Sequence, residues 1–151
     1  MIPEIQKTDK LKKQLYLHIV KPLVELEKFE FFELKDIKKI KRNSIDEIFI
    51  GDLLDYTDDD NATVVLNEIS LKLKKGGKLY LQSNDTKCVA AALLYDNINT
   101  KIFKNIIFSY QKKNIFTLTE IKKMLSTIEL LNIARCRFLN GVQYYIECHK
   151  K

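Results

Sequence analysis

The sequence predicts an α/β domain with a mostly parallel sheet that ends in an antiparallel hairpin. An apolar run at residues 45–50 is typical of a strand buried in a parallel sheet. A helical repeat and a second apolar run from Leu79 follow it, which is the order of a right-handed parallel crossover. Near the end of the chain, two strand-like runs flank Asn140-Gly141, a strong hairpin turn signal.

The helix of the crossover has signals at both ends. Asp58-Asp59-Asp60 can cap its start and complement the positive end of the helix dipole. Gly76-Gly77 is predicted to end it, where a positive φ is needed. The apolar face between these signals consists of Ala62, Val65, Leu66, Ile69 and Leu73.

The same stretch resembles the middle of class I S-adenosylmethionine-dependent methyltransferases. The resemblance is carried by Asp46-Glu47-Ile48, Leu53-Leu54-Asp55-Tyr56, Leu66-Asn67-Glu68-Ile69 and the run from Leu73 to Tyr80. Lys75 stands where that family usually has proline, and residues 113–117 with the last two strands are similar to the end of the same domain. The resemblance implies a Rossmann-like methyltransferase fold. The length of 151 residues predicts one domain, residues 1–151, and the polar, lysine-rich residues 1–13 are expected to form a loose helix or arm.

The first third of the chain departs from the family's pattern. Residues 14–20 are predicted to be the first strand, which in the family leads into a glycine-rich turn because only glycine lets the backbone approach the cofactor. Residues 18–24 contain no glycine, so we expect side chains to fill that cleft. Only residues 21–28 separate this strand from the next strand-like run, residues 29–34. That connecting segment is too short for a crossover with its helix. We therefore expect the glycine-rich loop and the second strand to be missing, with 29–34 as the third strand.

Candidate site residues follow the predicted parallel strands. By the resemblance, Asp55 and Tyr56 stand where the family commonly has glutamate and histidine, so they are the candidate catalytic residues. Asp52 and His18 are the candidate cofactor-binding residues, since ligands bind outside the carboxyl ends of parallel strands. A structural interpretation stays open for each, because loop carboxylates often cap helices and a histidine in an apolar strand often packs in the core.

Two helices downstream are marked by caps. Asn84-Asp85-Thr86 is predicted to cap a helix, although some family members place a similar polar pair near substrate. A helical stripe covers residues 102–110. Thr117-x-x-Glu120 is a capping box before a helix that reaches Ile128.

Composition argues against several classes of function. The chain has 151 residues and a net charge of +6, but its lysines are spread out and no basic stripe with interleaved aromatic residues appears, so nucleic-acid binding is disfavoured. No metal-ligand spacing, bilayer-length apolar run or signal peptide is present, and we expect a cytoplasmic protein without a metal. The three cysteines are expected to be buried thiols.

Two functions remain open at this stage. The chain is either a degenerate methyltransferase, a pseudoenzyme with impaired or lost cofactor binding that acts as a structural or regulatory partner, or an active small methyltransferase. The first predicts a homo-oligomer or hetero-complex through the sheet edge that the missing strand leaves exposed. A trimmed gene also fits a phage or another compact genome. The second predicts S-adenosylmethionine as cofactor and a small molecule or glycan as substrate.

Overall fold

A computed structural model describes residues 12–18, 29–109 and 111–151 and shows one six-stranded sheet with four helices. The strands are β1 (Gln14–His18), β2 (Glu30–Glu33), β3 (Ile45–Ile50), β4 (Leu73–Asn84), β5 (Leu131–Leu139) and β6 (Gln143–Lys150). The helices are α1 (Asp59–Lys72), α2 (Thr86–Leu94), α3 (Thr100–Ile107) and α4 (Leu118–Ser126).

The sheet order is β2-β1-β3-β4-β6-β5. β2, β1, β3 and β4 are parallel, whereas β6 runs antiparallel to both β4 and β5. The predicted class, a mostly parallel sheet with an antiparallel C-terminal hairpin, is confirmed.

The apolar core lies between the sheet and the pair α1 and α4. The strand side chains alternate, so that Leu15 and Leu17 of β1 are fully buried in this core. Each such burial stabilises the fold by about 1.5–3 kcal/mol. The central contributors are Ile48, Ile50, Leu79, Leu81 and Ile146 from the strands and Leu66, Ile69, Ile121 and Leu125 from the helices.

The crossover helix ends earlier than the sequence predicts. α1 stops at Lys72 and the next residue, Leu73, already pairs with Ile45, so Gly76-Gly77 lies inside β4 and does not end the helix. The register of β3 and β4 shifts there. Gly76 has φ +74°, and a Cβ on Gly77 would lie 2.8 Å from the carbonyl oxygen of Lys74. The two glycines therefore allow β4 to adopt an irregular backbone conformation at this point.

The strand Glu30–Glu33 pairs directly with β1, and the described residues place no strand between them. In the doubly wound order 3-2-1-4, the place beside the first strand belongs to the second strand. On this side of β1 the described residues contain one strand where that order has two. By its position Glu30–Glu33 corresponds to the second strand, so the expectation that residues 29–34 are the third strand is wrong. Of the glycine-free stretch 18–24, which is predicted to fill the cofactor cleft, residues 19–24 lie outside the described part of the chain.

The caps and turns of the second half are confirmed. Asp85 accepts a hydrogen bond from the Cys88 amide, 2.9 Å, at the start of α2. Thr117 and Glu120 form the capping box of α4, and Asn140 and Gly141 turn the hairpin with φ values of 44° and 76°. These features are local in sequence, which is why the pattern alone predicts them.

Two smaller expectations have mixed outcomes. Asp58 stands at the N-cap of α1, but its side chain makes no capping hydrogen bond. Of the cysteines, only Cys148 is buried, while Cys88 is partly exposed and Cys136 is exposed on β5.

Candidate functional site

The loop after β3 holds both candidate catalytic residues. It forms a 3-10 turn over Leu53–Tyr56. Leu53 and Leu54 are 1% and 2% exposed and anchor the turn in the core. This anchoring turns the next residue inward, and Asp55 is 0% exposed.

Asp55 is held by groups that are distant in sequence. Its Oδ2 accepts a hydrogen bond from the Ser83 hydroxyl at 3.1 Å and from the Lys112 ammonium at 3.2 Å. Its main-chain oxygen accepts from the amides of Lys113 and Asn114 at 2.8 and 2.9 Å. Its Oδ1 is buried and has no hydrogen-bond partner among the described residues. The loop after β3 is thus joined to the segment that precedes α4.

The environment of Asp55 shifts its protonation. Burial raises the pKa of Asp55 to about 6, although the Lys112 ammonium and the Ser83 hydroxyl act in the opposite direction. The nearby Asp52 carboxylate raises the pKa slightly further. Tyr144 lies close by, and burial followed by the charges of Asp55 and Asp85 raises the pKa of its hydroxyl far above the ordinary range. Burial therefore outweighs the ion pair, and Asp55 takes up its proton in mildly acidic solution.

Asp52 and Tyr56 lie on the outer side of the same cluster. The Asp52 carboxylate is 3.6 Å from the Lys112 ammonium and accepts a 3.4 Å hydrogen bond from the Tyr56 hydroxyl. Burial, followed by the charge of Asp52, raises the pKa of Tyr56 to about 12. Tyr56 is therefore a hydrogen-bond donor at neutral pH and a poor proton acceptor.

Gly51 lies where β3 meets this loop, and a neighbouring tyrosine covers it. A Cβ on Gly51 would lie 2.4 Å from the hydroxyl oxygen of Tyr16. Any larger residue at this position would force the Tyr16 hydroxyl to move. The space over the end of β3 is therefore taken by a side chain of β1.

His18, the other candidate, ends β1 and is 8% exposed. It pairs in register with Glu33 at the end of β2, and both residues line a cavity of about 310 Å³ together with Leu34 and Lys35. Glu33 also forms a 2.6 Å ion pair with Lys35 at the surface. The described lining of this cavity does not include Asp52 or Asp55.

The structure thus groups three of the four predicted site residues, Asp52, Asp55 and Tyr56, and places His18 at a neighbouring cavity. Sequence reasoning missed Lys112 and Ser83. Ser83 continues the inward alternation of Leu79 and Leu81 along β4, a signal that could have located it. Lys112 carries no local signal, because its partner is 57 residues away.

Glu33 was also missed, because residues 29–34 were assigned to the third strand. In the related dinucleotide-binding folds, an acidic residue downstream of the first strand binds the ribose hydroxyls, and in the family the second strand normally ends in such a residue. The position of Glu33 beside the end of β1 fits that role, and its side chain is 48% exposed.

No described helix is long and apolar enough to cross a membrane. Among the residues in 12–18, 29–109 and 111–151, no three histidine, cysteine or acidic side chains are grouped so that they could hold a metal ion.

No protein-family model and no curated protein sequence matches the chain. Solved structures do. A methyltransferase from Thermotoga maritima, described as a possible histamine N-methyltransferase, has TM-score 0.62 and 14% identity, over 92% of this chain and 82% of that one. Magnesium protoporphyrin IX methyltransferase from Synechocystis PCC 6803 with bound SAH has TM-score 0.53 and 14% identity, over 80% and 51%.

A third similar chain comes from a complex between the Haloferax volcanii Trm112 methyltransferase activator and a protein assigned as a methyltransferase. Its TM-score is 0.58 at 12% identity, over 84% of this chain and 63% of that one. The present chain thus spans about half to two thirds of the length of the second and third of these structures. At these identities the likeness establishes the fold, and the chain has the fold of the class I S-adenosylmethionine-dependent methyltransferases.

Proposed function

We propose that this chain is a pseudoenzyme: a methyltransferase-fold domain that no longer transfers methyl groups and acts by binding another protein chain. One observation carries the proposal. The side chain of Asp55 is 1% exposed, and the Lys112 side chain that pairs with it is 7% exposed. A general base must come within hydrogen-bond distance of the proton that it removes, and a carboxylate enclosed in this way offers no surface to a substrate.

The neighbouring groups support the same conclusion. The Asp52 carboxylate, a candidate for cofactor binding, already faces the Lys112 ammonium and the Tyr56 hydroxyl. Tyr16 covers Gly51 at the end of β3. These side chains lie at the end of the central strand, the end at which ligands bind in open parallel sheets.

A binding role is favoured by the free sheet edge at β2. β2 is the last strand on its side of the described sheet and has only one strand neighbour. Unpaired edge groups are a template for a strand of another chain. The proposal therefore includes a homo-oligomer or hetero-complex through this edge. The activator complex among the similar structures supports a partner chain in general.

A second candidate is an active small methyltransferase that uses S-adenosylmethionine. Glu33 favours it, because this carboxylate stands beside the end of β1, next to His18 and the cavity of about 310 Å³. An acid in this place could accept the ribose hydroxyls of the cofactor. The substrate would be a small molecule or a glycan, and the Thermotoga neighbour, described as a possible histamine N-methyltransferase, supports the former.

Calorimetric titration of the full chain with S-adenosylhomocysteine separates the two candidates. The proposal predicts no saturable heat at high protein concentration. Saturable heat that disappears in Glu33→Gln, but persists in the control Glu30→Gln at the other end of β2, would establish cofactor binding and overturn the loss of function.

Sedimentation velocity tests the homo-oligomeric form of the partnership. Self-association through β2 predicts a sedimentation coefficient that rises with protein concentration. A strict monomer over the whole accessible range would remove the homo-oligomer.

A further inference from the structure

β5 ends the described sheet on the side opposite β2. Among the described strands its only neighbour is β6, so no described strand pairs with its outer edge. Residues 132–138 are all exposed, although they belong to a nine-residue strand. An exposed strand of this length is unusual, because its unpaired main-chain groups can hydrogen-bond to another strand.

The two faces of β5 differ in chemistry. Ile133 and Phe138 lie opposite core residues of β6, on the face of the sheet that carries the core, and are 36% and 55% exposed. The exposed Cys136 shares this face, since it pairs with the buried Ile146.

The other face of β5 is basic. Arg135 and Arg137 lie opposite Glu147 and Tyr145 of β6, and the Arg137 guanidinium lies 5.2 Å from the centroid of the Tyr145 ring. β5 contains no acidic residue. The strand therefore combines an apolar face with a positively charged face along a free edge.

We infer that β5 binds an extended segment of another protein, which adds to the sheet as a further strand and is apolar on one face and acidic on the other. Main-chain hydrogen bonds would attach the segment, and alternate side chains would select it. Apolar side chains of the segment would cover Ile133 and Phe138, and its carboxylates would face Arg135 and Arg137. This inference rests on the proposed binding role and names the class of partner.

The charges of β5 disfavour a second copy of this chain as the occupant. A two-fold symmetric antiparallel pair places residues of the same face opposite each other. If the two-fold axis passes at Cys136, Arg135 of one copy lies opposite Arg137 of the other copy. If the axis passes at Arg135 or at Arg137, that arginine lies opposite the same arginine of the other copy. Like charges directly opposite across a strand pair are destabilising.

The edge also has features that restrict pairing. The register of β5 and β6 shifts between Ile133 and Arg135, so the regular stretch runs from Arg135 to Leu139. Bulges and charged side chains are means by which proteins keep edges unpaired. A partner segment therefore needs only about five residues in register with β5. Its acidic side chains would offset the repulsion that keeps other strands away from the two arginines.

The test uses two labelled nine-residue peptides, one of alternating valine and glutamate and one of alternating valine and lysine, titrated into the full chain at low salt. We expect the glutamate peptide to bind, with amide shift changes confined to β5, and to bind less tightly as salt is added. The double variant R135E/R137E should lower its affinity by about tenfold or more and accept the lysine peptide instead. The control K101E/K104E makes the same change of net charge on two exposed lysines of α3 and should stay near the parent affinity.

Several results would overturn the inference. If neither peptide binds, or if both double variants weaken binding equally, β5 is only a protected edge. A disulfide-linked dimer through Cys136 on mild oxidation, with a concentration-dependent sedimentation coefficient, would make a second copy the occupant. If the glutamate peptide does not bind, the β2 edge still remains for the proposed binding role. Saturable heat of binding with S-adenosylhomocysteine would overturn the loss of methyl transfer and would leave the inference about β5 unaffected.

Discussion

The loops after β3 and β4 each bury an aspartate at the same end of the sheet, and they hold it in opposite ways. Asp85 is 2% exposed, and its two oxygens accept main-chain amides: Oδ1 from Cys88 at 2.9 Å and Oδ2 from Leu118 at 2.6 Å. Asp55 is 0% exposed, but its carboxylate depends on the side chains of Lys112 and Ser83, and in the described part of the chain its other oxygen has no partner.

The difference between the two aspartates lies in their hydrogen-bond donors, which are main-chain amides at Asp85 and side chains at Asp55. Main-chain amides at a helix start are fixed by the backbone, so Asp85 joins the starts of α2 and α4 at little conformational cost. Asp55 relies on a flexible lysine, and the remaining desolvation raises its pKa to about 6. The resemblance made Asp55 a catalytic candidate, but its environment makes it part of a buried ion pair.

Removing the cation should have the largest effect. Lys112→Met leaves the Asp55 carboxylate buried without its cation, and we expect the free energy of unfolding to fall by about 3 kcal/mol at pH 8. Urea denaturation measures this loss. The control Lys113→Met removes a 57% exposed lysine whose nearest carboxylate, that of Asp58, is 3.8 Å away, and it should cost under about 0.5 kcal/mol. Equal losses would contradict the buried ion pair.

The pH dependence of stability should be the next largest effect. Because the folded pKa of Asp55 lies above its ordinary value of 3.8, the folded state binds more protons than the unfolded state between about pH 4 and pH 6. Stability from this group is therefore greatest at the acidic end of the window and falls as pH rises, by about 2 kcal/mol.

Asp55→Asn isolates this dependence. Urea unfolding of the parent and of the variant across pH 4–7 gives the difference, and the parent should lose stability relative to the variant as pH rises. A relative gain with rising pH would mean that the Lys112 ion pair outweighs burial.

A smaller effect is expected at Asp85. Asp85→Asn keeps the cap on Cys88 but turns an amide N–H toward the Leu118 N–H, and we expect a loss of about 1 kcal/mol. The control Asp58→Asn changes an N-cap residue whose side chain makes no capping hydrogen bond and accepts a 3.4 Å hydrogen bond from the Asn61 side chain, and it should cost only about 0.3 kcal/mol. Thermal unfolding of both variants measures the two losses of stability. Similar losses would show that the two hydrogen bonds of the Asp85 carboxylate do not stabilise the fold more than an ordinary N-cap residue does.

The same contrast explains what could be predicted from the sequence. The Asp85 cap, the Thr117 and Glu120 capping box and the Asn140-Gly141 hairpin lie within a few residues of their partners, so patterns identify them. The crossover from β3 to β4 was found for the same reason. The local pattern predicts a helix end at Gly76-Gly77. The helix ends earlier because Leu73 pairs with Ile45, and this tertiary contact leaves no local signal in the sequence.

The missed site residues depend on strand order and on distant pairing. Glu33 gains meaning only when β2 is known to lie beside β1, and residue spacing alone assigned it to a different strand. Lys112 meets Asp55 across 57 residues of sequence. No periodicity or local motif contains that information, and the candidate catalytic role of Asp55 could be weighed only once its burial was known.

A crystal structure of the full chain grown with millimolar S-adenosylhomocysteine tests the central claim most directly. Our account predicts no adenosyl density at the carboxyl ends of β1 and β3, and a Lys112 ammonium that still contacts the Asp55 carboxylate. Clear adenosyl density against His18 and Glu33, with Lys112 displaced from Asp55, would contradict it.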